Sequence, residues 1–225
     1  MDTYALLYSF LNTIKHFWWL IPIIVLLGIL KSPTGKGYVG ELFVRLLARL
    51  SLPPKTYRAV HNVTLPTEDG TTQIDHVLLS PFGIFVLETK NRKGWIYGSE
   101  NGANWTQRLF RNKVTFQNPL RQNARHVKAL EVTLQTPPDT VHSVIAFVGD
   151  STFKTPMPAN VTQGSGFIHY IKSFKNPVFT EDEVRALLER LEAVRLAPTR
   201  ATHRAHVRNV KKRIDSGAGR RGRKR

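Results

Sequence analysis

The chain has 225 residues, with 33 Lys and Arg against 16 Asp and Glu, and it contains no cysteine. That length fits one globular domain with appendages, and the lack of cysteine excludes disulfides, thiolate metal sites and a cysteine nucleophile. A composition that is 41% hydrophobic excludes a wholly disordered chain, so the formal net charge of +17 needs a separate explanation, which its concentration in the C-terminal residues supplies.

The N-terminal region contains an apolar segment. Residues 17–30 carry no charged or strongly polar side chain, and extension back to Phe10 gives a span of 21 residues. About 20 apolar residues form a helix long enough to cross a bilayer. We therefore predict an uncleaved membrane anchor over residues 1–31, because the small-residue cleavage site of a signal peptide is missing. Basic residues lie mainly after the span, which predicts a single-pass protein of the cell (inner) membrane whose bulk faces the cytoplasm.

The pattern after the anchor predicts a mixed set of elements. A turn-rich linker is predicted at 32–36, and apolar residues at three- and four-residue steps then predict a helix from Val39 to Leu50. Asn118 followed by Pro119 is typical of the start of a second helix. The predicted strands are rich in β-branched and aromatic residues and occupy 57–65, 72–79, 84–90, 95–97 and 141–148.

This order of elements predicts an α/β domain over residues 37–150, built from a helix, a three-strand meander, a helix and a strand. Residues 151–197 are predicted to form a helical extension. The run from Thr180 to Glu183 is a capping box that opens its last helix.

Residues 198–225 are predicted to form a disordered basic tail. From Arg195 to Arg225 the sequence has twelve Lys and Arg and one Asp. The last residues combine glycine with like charges, which is typical of an arm that binds polyanions without specificity. The partner of the tail is either nucleic acid or anionic lipid. The alternative is a tail that binds neither and only keeps the protein soluble. The tail residues predicted to contact nucleic acid are Arg213, Arg220, Arg221 and Arg223.

The SPFG turn allows the register of a hairpin to be calculated. With a two- or four-residue loop, paired residue numbers sum to 163, so Asp75 lies opposite Glu88. Lys90 then lies on the same sheet face as Glu88. A three-residue loop with a bulge would shift the sum to 164 and break this pairing.

Two opposed carboxylates destabilise a sheet, and a divalent cation held between Asp75 and Glu88 would compensate. Two acids and a lysine around a metal can attack a phosphodiester, because the metal neutralises charge while the lysine stabilises the charge that develops. The alternative is an exposed Glu–Lys surface pair. The apolar residues around both acids favour a functional role.

Five motifs, in order and with compact spacing, resemble the nuclease-related domain (NERD) family. They are GYVGE at 37–41, HNVTLP at 61–66, TQIDHVLLSPFGIFVLETKNRKGWIYG at 72–98, W-x-Q at 105–107 and NPLRQNARHVKAL at 118–130. The resemblance implies a PD-(D/E)xK, restriction-endonuclease-like α/β core. It implies that Asp75 and Glu88 bind metal and that Lys90 is the catalytic lysine. It also matches Glu41 to an acid on the first helix and Gln122 to a glutamine on the helix after the meander.

Some of these positions have a second interpretation. Glu41 is also a carboxylate suited to the start of a helix dipole. Gln122 and His126 lie one turn apart and can contact DNA or the metal shell, or form a polar helix face. Related nucleases often carry Q-x-x-x-Y here, with tyrosine where this chain has His126. Trp105 and Gln107 can contact a nucleotide, although a lone tryptophan usually belongs to the core.

Together these features predict a membrane-anchored, metal-dependent (endo)deoxyribonuclease that uses Mg²⁺, with Mn²⁺ as a substitute. DNA is favoured over RNA as the substrate, and the basic tail provides electrostatic attraction to it. Two alternatives stay open. One is a noncatalytic module of nuclease-like fold that binds nucleic acid or a partner at the membrane. The other is a lipid-facing scaffold whose basic arm binds phospholipid head groups.

Overall fold

The protein is described by a computed structural model that covers residues 15, 17–68, 70–199 and 201–210. It is a mixed α/β structure with two sheets. The described helices are α1 (Leu20–Lys31), α2 (Pro33–Ser51), α3 (Pro119–Leu134), α4 (Gly166–Ser173), α5 (Glu181–Val194) and α6 (201–210). The described strands are β1 (Arg58–Thr67), β2 (Gly70–Ser80), β3 (Gly83–Asn91), β4 (Gly94–Tyr97), β5 (Asn104–Leu109), β6 (Asn112–Gln117), β7 (Val141–Val148), β8 (Ser151–Phe153) and β9 (Val161–Gln163).

The large sheet has the strand order β1-β2-β3-β7-β9. Strands β1 to β3 form the predicted antiparallel meander, and β7 and β9 continue the sheet in parallel with β3. The small sheet has the order β6-β5-β4-β8, with β8 parallel to β4. The predicted meander, second helix and following strand are therefore confirmed.

Helices cover both faces of the large sheet, as the alternation of its side chains requires. Ile84 and Val86 of β3 pack on one side in a cluster with residues of α3 and α5. Phe85 and Leu87 pack on the other side in a cluster with residues of α2 and α4. A third cluster lies between the sheets and includes Trp105.

The starts of two helices follow the predicted local chemistry. The Asn118 side chain caps α3 by accepting a hydrogen bond from Leu120 N at 2.9 Å, and Pro119 occupies the first helical position. The Asn118 amide also donates to Gly102 O at 2.7 Å, so it fixes the loop before the helix. Thr180 and Glu183 form the predicted capping box of α5.

Two predicted segments differ from the structure. The linker predicted at 32–36 was wrong, because Ser32 caps α2 by accepting from Gly35 N at 3.1 Å and the helix begins at Pro33. A Ser-Pro pair is a favourable N-cap and first position, not only a turn. The helical extension predicted at 151–197 contains strands β8 and β9 as well as helices.

The basic tail is only partly described. Residues 201–210, predicted to be disordered, are helical. They contact the domain, since Thr71 Oγ1 lies 3.0 Å from His206 Nδ1. The predicted nucleic-acid contacts of the tail lie outside the described residues: Arg213, Arg220, Arg221 and Arg223.

The predicted single membrane-spanning helix is not confirmed. Residues 10–14 and 16 of the proposed span lie outside the described residues, and α1 has 12 residues, about 18 Å of helix. Within the described ranges, no single helix is long and apolar enough to cross a membrane. Helix α1 and residues 34–51 together meet these criteria, but they are bent by 78° at the break between them.

Candidate active site

The register calculated for the β2–β3 hairpin is confirmed. Pairing runs from Ser80 with Gly83 to His76 with Leu87, and the two residue numbers of every pair in this ladder sum to 163. Pro81 and Phe82 form the two-residue loop, and Gly83 adopts a φ of 131°, which favours glycine. The next row toward the open end of the hairpin is that of Asp75 and Glu88.

Asp75 takes no part in the regular pairing of β2 with either neighbouring strand. The ladder between β1 and β2 is continuous on both sides of the row that contains Asn62 and Asp75, but this row itself is not paired. Asn62 has a φ of 53°, in the left-handed region. On the β3 side of β2, Thr89 N donates a 2.8 Å hydrogen bond to the Asp75 side chain, at Oδ2. Irregular strands of this kind are common beside active sites, where they redirect a side chain.

Glu88 and Lys90 lie together at the end of β3. Lys90 Nζ donates to Glu88 Oε1 at 2.5 Å and to Gln122 Oε1 of α3 at 2.9 Å. The Glu88 side chain is 4% exposed and that of Lys90 18% exposed. An ammonium has three N–H donors, so these two bonds leave one donor for another group.

His126 of α3 lies beside the second carboxylate oxygen of Glu88. Its Nε2 lies 3.5 Å from Glu88 Oε2, and its Nδ1 lies 2.8 Å from Thr72 Oγ1. Neither Glu88 Oε2 nor His126 Nε2 has a hydrogen-bond partner among the described residues. The ring is 6% exposed, so the structure places it inside the candidate site rather than on a solvent-facing nucleic-acid surface.

The two acids of β2 and β3 differ in their affinity for a proton. Burial and the neighbouring Glu88 charge raise the pKa of Asp75 well above its usual value, although the Thr89 N–H opposes this. Burial also acts to raise the pKa of Glu88, but Lys90 and His126 outweigh it and leave that pKa below its usual value. Without a cation, Glu88 therefore carries the negative charge and Asp75 favours the neutral form.

Glu41 reaches the same region from α2. Burial raises its pKa, Arg45 one turn away lowers it, and Glu88 raises it, so Glu41 and Glu88 interact electrostatically. The close packing of α2 against the large sheet depends on Gly40, where a Cβ atom would lie 2.9 Å from Asn91 Cβ and 3.0 Å from Val148 Cγ2.

Helix α3 is fixed by a residue that sequence reasoning missed. Asn123, fully buried, donates to Val86 O at 2.8 Å and to Ser143 Oγ at 2.9 Å, which joins α3 to β3 and β7. It sits between the two predicted site residues Gln122 and His126. The motif NPLRQNARHVKAL contained it, but an asparagine on a helix gives no sequence signal of a bond to a strand carbonyl.

A pair of histidines beside Asp75 was also missed. The Nδ1 atoms of His61 and His76 are 2.9 Å apart. Burial and the Arg45 charge lower the pKa of His61 to about 4. Burial, His61 and Arg45 lower the pKa of His76 to about 3, against the opposing charge of Glu88. Both rings are therefore neutral at physiological pH.

Trp105 and Gln107 have different surroundings. Trp105 is 1% exposed and stacks on Phe147, with ring centroids 6.0 Å apart, so it belongs to the core. Gln107 accepts from Arg92 at 3.0 Å and donates to Lys93 O at 2.7 Å. Its amide therefore holds the segment between β3 and β4, and its predicted contact with nucleic acid stays a prediction.

The carboxylate oxygens of the candidate site are ligands suited to a hard divalent cation. No group of three or more His, Asp or Glu side chains placed to hold a metal ion occurs among the described residues. Mg²⁺ needs only one or two carboxylates, because water and phosphate oxygens complete its shell. Such a cation would occupy Glu88 Oε2, which has no hydrogen-bond partner among the described residues, and would relieve the repulsion between Asp75 and Glu88.

Comparison with known proteins gives two matches. Residues 36–148 match a family described as "Nuclease-related domain" (NERD). An uncharacterized protein of Bacillus anthracis is 43% identical over 162 residues, which cover 68% of this chain and 74% of that relative. No solved structure matches the chain.

Proposed function

The chain belongs to the nuclease-related domain (NERD) family, and on this basis we propose that it is a metal-dependent nuclease that hydrolyses phosphodiester bonds of DNA. The observation that carries the proposal is the arrangement at the end of β3. There, Glu88 is buried and interacts with the partly buried Asp75 of the neighbouring β2, and Lys90 is held in place by Glu88 and Gln122.

Asp75 and Glu88 would hold Mg²⁺, or Mn²⁺ in its place, and Glu41 is the third acid within electrostatic range. When bound, the cation neutralises phosphate charge and activates water. The role of His126 is to orient the Glu88 carboxylate, because its ring lies beside Oε2 and is itself hydrogen-bonded to Thr72.

Lys90 supplies positive charge to the phosphate. Its third N–H is available to a phosphate oxygen, where it stabilises the charge that develops during attack. Gln122 acts as a positioning residue, since its oxygen accepts from Lys90 Nζ at 2.9 Å and limits the movement of a flexible side chain.

We also propose that the protein is anchored at the cytoplasmic face of the cell membrane. None of the residues of α1 is buried, and its side chains are almost entirely apolar. Helix α2 exposes an apolar stripe formed by Val39, Leu42, Phe43, Leu46 and Leu50. A bilayer would remove these apolar surfaces from water, and the basic C-terminal region would attract DNA without sequence specificity.

Cleavage assays of the full-length chain in detergent test the nuclease proposal. Plasmid, linear DNA and RNA are incubated with Mg²⁺, with Mn²⁺ and with chelator. Cleavage of DNA should require metal, disappear in Asp75→Asn and fall by about 100-fold or more in Lys90→Ala. Lys128→Ala removes an exposed lysine from α3 and is the matched control. Metal-dependent cleavage that survives in Asp75→Asn would contradict the proposal.

A noncatalytic nucleic-acid or partner-binding module is the second candidate. One observation favours it, namely that the described residues contain no group of three or more potential metal ligands. It predicts DNA binding that is equal with Mg²⁺ and with chelator, and no cleavage by the parent protein.

A further inference from the structure

The small sheet has a solvent-facing side that no part of the proposed site uses. Its register aligns Trp95 of β4 with Arg108 of β5, and Arg108 with Lys113 of β6. The neighbouring row on the same side consists of Tyr97, Thr106 and Thr115. We call this side, together with the adjacent Arg111 and Lys154, the outer face.

The opposite side of the small sheet packs on the core. Ile96 and Trp105 are buried there, and Phe116 packs against them. Successive residues of a strand point to opposite sides, so Trp95 and Arg108 must point to solvent. The outer face is therefore available to a ligand without any change in the core.

The outer face is aromatic and basic. Trp95 is 46% exposed, and Phe110 in the β5–β6 turn is 88% exposed with a φ of 52°. A depression of about 490 Å³ is lined by Tyr97, Thr106, Arg108, Arg111 and Lys113. Within the described part of the chain, no ion pair to Asp or Glu is formed by Arg108, Arg111, Lys113 or Lys154.

We propose that the outer face binds a single-stranded segment of nucleic acid. Exposed aromatic rings provide stacking platforms for bases, and unpaired Arg and Lys groups around them bind the phosphates. In a duplex the base faces are already stacked on each other, so this surface matches a single strand better than a double helix. The inference rests on the proposed nuclease function and adds the form of the substrate.

The cations near Trp95 do not prevent stacking. Lys154 Nζ lies 4.8 Å and Arg108 Cζ lies 6.0 Å from the ring centroid. Lys154 is exposed, and an exposed cation–π contact is weaker than the stacking of a base on an aromatic ring. A phosphate beside the stacked base would also attract the displaced ammonium.

The outer face is close enough to the candidate active site for one strand to reach both. Trp95 follows Lys90 by five residues, so their Cα atoms are at most about 18 Å apart. At about 3.4 Å per nucleotide along a duplex strand, that distance corresponds to about five nucleotides. A single strand on the outer face can therefore extend to Lys90.

Fluorescence anisotropy with the full-length chain in detergent and chelator tests the stacking. The probes are labelled oligo(dT) and an abasic strand of equal length, which keeps the phosphates and lacks bases. Trp95→Ala should weaken oligo(dT) binding about 5- to 100-fold and leave abasic binding unchanged. Trp95→Phe keeps a ring and should recover most of the loss. Equal loss on both probes, or no loss on either, would overturn the proposal.

A second pair of variants tests the phosphate contacts. Arg108→Ala with Lys113→Ala should weaken both probes and reduce the slope of log affinity against log salt by about 1.4, or about 0.7 for each contact. Lys175→Ala with Arg185→Ala removes the same charge from exposed positions elsewhere and should leave the slope unchanged. Equal effects of the two pairs would overturn the assignment to the outer face.

The two proposals fail in different ways. If the nuclease function is wrong, the parent protein binds oligo(dT) through Trp95 but cleaves nothing with Mg²⁺ or Mn²⁺. If the outer-face inference is wrong, the parent protein cleaves DNA while Trp95→Ala binds oligo(dT) as the parent does. Preference for duplex over oligo(dT) by the parent protein would also overturn it.

Discussion

The candidate site combines acids whose proton affinities differ. Glu88 is neighboured by Lys90 and His126, whereas the main polar partner of Asp75 is a backbone N–H. Two adjacent carboxylates with little access to water are seldom both ionised, so Asp75 is the one that favours a proton when no cation is bound. A divalent cation would favour the ionised form of both, and its binding should therefore release a proton.

Asp75→Asn should stabilise the metal-free protein. The pKa of Asp75 is higher in the folded than in the unfolded state. The folded protein therefore loses stability relative to the unfolded chain as the pH rises from the unfolded pKa through the folded pKa of this residue. A neutral amide avoids that loss and can still accept from Thr89. We expect an increase of about 1 kcal/mol, or about 2–4 °C in Tm, by calorimetry in chelator. The variant should gain less from Mg²⁺ than the parent, and a lower Tm in chelator would contradict this account.

The histidine pair predicts a separate dependence of stability on pH. His61 and His76 have folded pKa values of about 4 and about 3, below the usual 6.5. The unfolded chain therefore binds more protons below pH 6.5, and stability falls as the pH is lowered toward these folded values. Arg45 of α2 adds to the shift, and Glu88 of β3 opposes it.

His61→Gln should reduce this dependence on pH. It removes one of the two rings, so the fall in Tm between about pH 6.5 and 4 should be smaller than in the parent. The Tm of the variant is compared with that of the parent at each pH. This comparison is needed because Asp75, whose pKa is raised, changes the stability of both proteins with pH in the direction opposite to that of the histidines. His169→Gln changes an exposed histidine and is the control. An unchanged slope in His61→Gln would show that the pair is not held neutral.

At the scale of elements, the position of α2 depends on one glycine. Gly40 lies against Asn91 and Val148, and a Cβ atom there would come within 3.0 Å of both. Glu41 is the next residue, so any shift of α2 moves it relative to Glu88. The close contact of helix and sheet therefore determines whether the third acid reaches the site.

Gly40→Ala should displace α2 and weaken both stability and cleavage. Overpacking of this kind costs about 1–3 kcal/mol, which denaturant unfolding measures. Gly37→Ala, on the same helix, is the matched control because a Cβ atom there has no neighbour within 4 Å. The control should be neutral or more stable by up to about 1 kcal/mol. Equal effects of the two substitutions would show that the α2 contact is not critical.

The sequence predicted the hairpin at the candidate site because its signals are local. A two-residue loop determines the register, and that register brings Asp75 next to Glu88 in the sheet. The small sheet was largely missed for the opposite reason. β5 has a single buried residue, Trp105, and β6 has none, so neither strand shows a strong apolar alternation. β8 joins β4 only through a distant parallel pairing that local pattern does not reveal.

Contacts between side chains that are far apart along the chain also could not be predicted from the sequence. The hydrogen bond that Lys90 donates to Gln122 and the one between His126 and Thr72 join residues 32 and 54 positions apart. The resemblance suggested which residues belong to the site, but only the structure shows that Gln122 holds the lysine and that His126 faces Glu88. It also shows His61, Arg45 and Asn123 around them, to which the sequence analysis assigned no role.

At the scale of the whole molecule, the apolar surfaces of α1 and α2 are its least explained feature. Both helices expose large hydrophobic side chains, including Ile24 at 64% and Leu50 at 75%. Contiguous exposed apolar surface is rare on soluble monomers and indicates a binding surface. Lys31 ends α1, and Arg49 is in the last turn of α2, so basic groups accompany both apolar surfaces. This combination is typical of a segment that contacts anionic lipid.

Fractionation of cells that express the full-length chain tests membrane attachment. We expect the protein to remain with the membrane in alkaline carbonate, because the apolar N-terminal segment is held by burial in lipid and not by charge. Removal of residues 1–31 should release it from the carbonate-resistant fraction. The α2 stripe remains in that variant, so weak, salt-sensitive binding to anionic vesicles should persist and should fall further in Leu42→Ser with Leu46→Ser. Recovery of the intact full-length chain in the soluble fraction would contradict the anchor, since its apolar surface would then be stable in water.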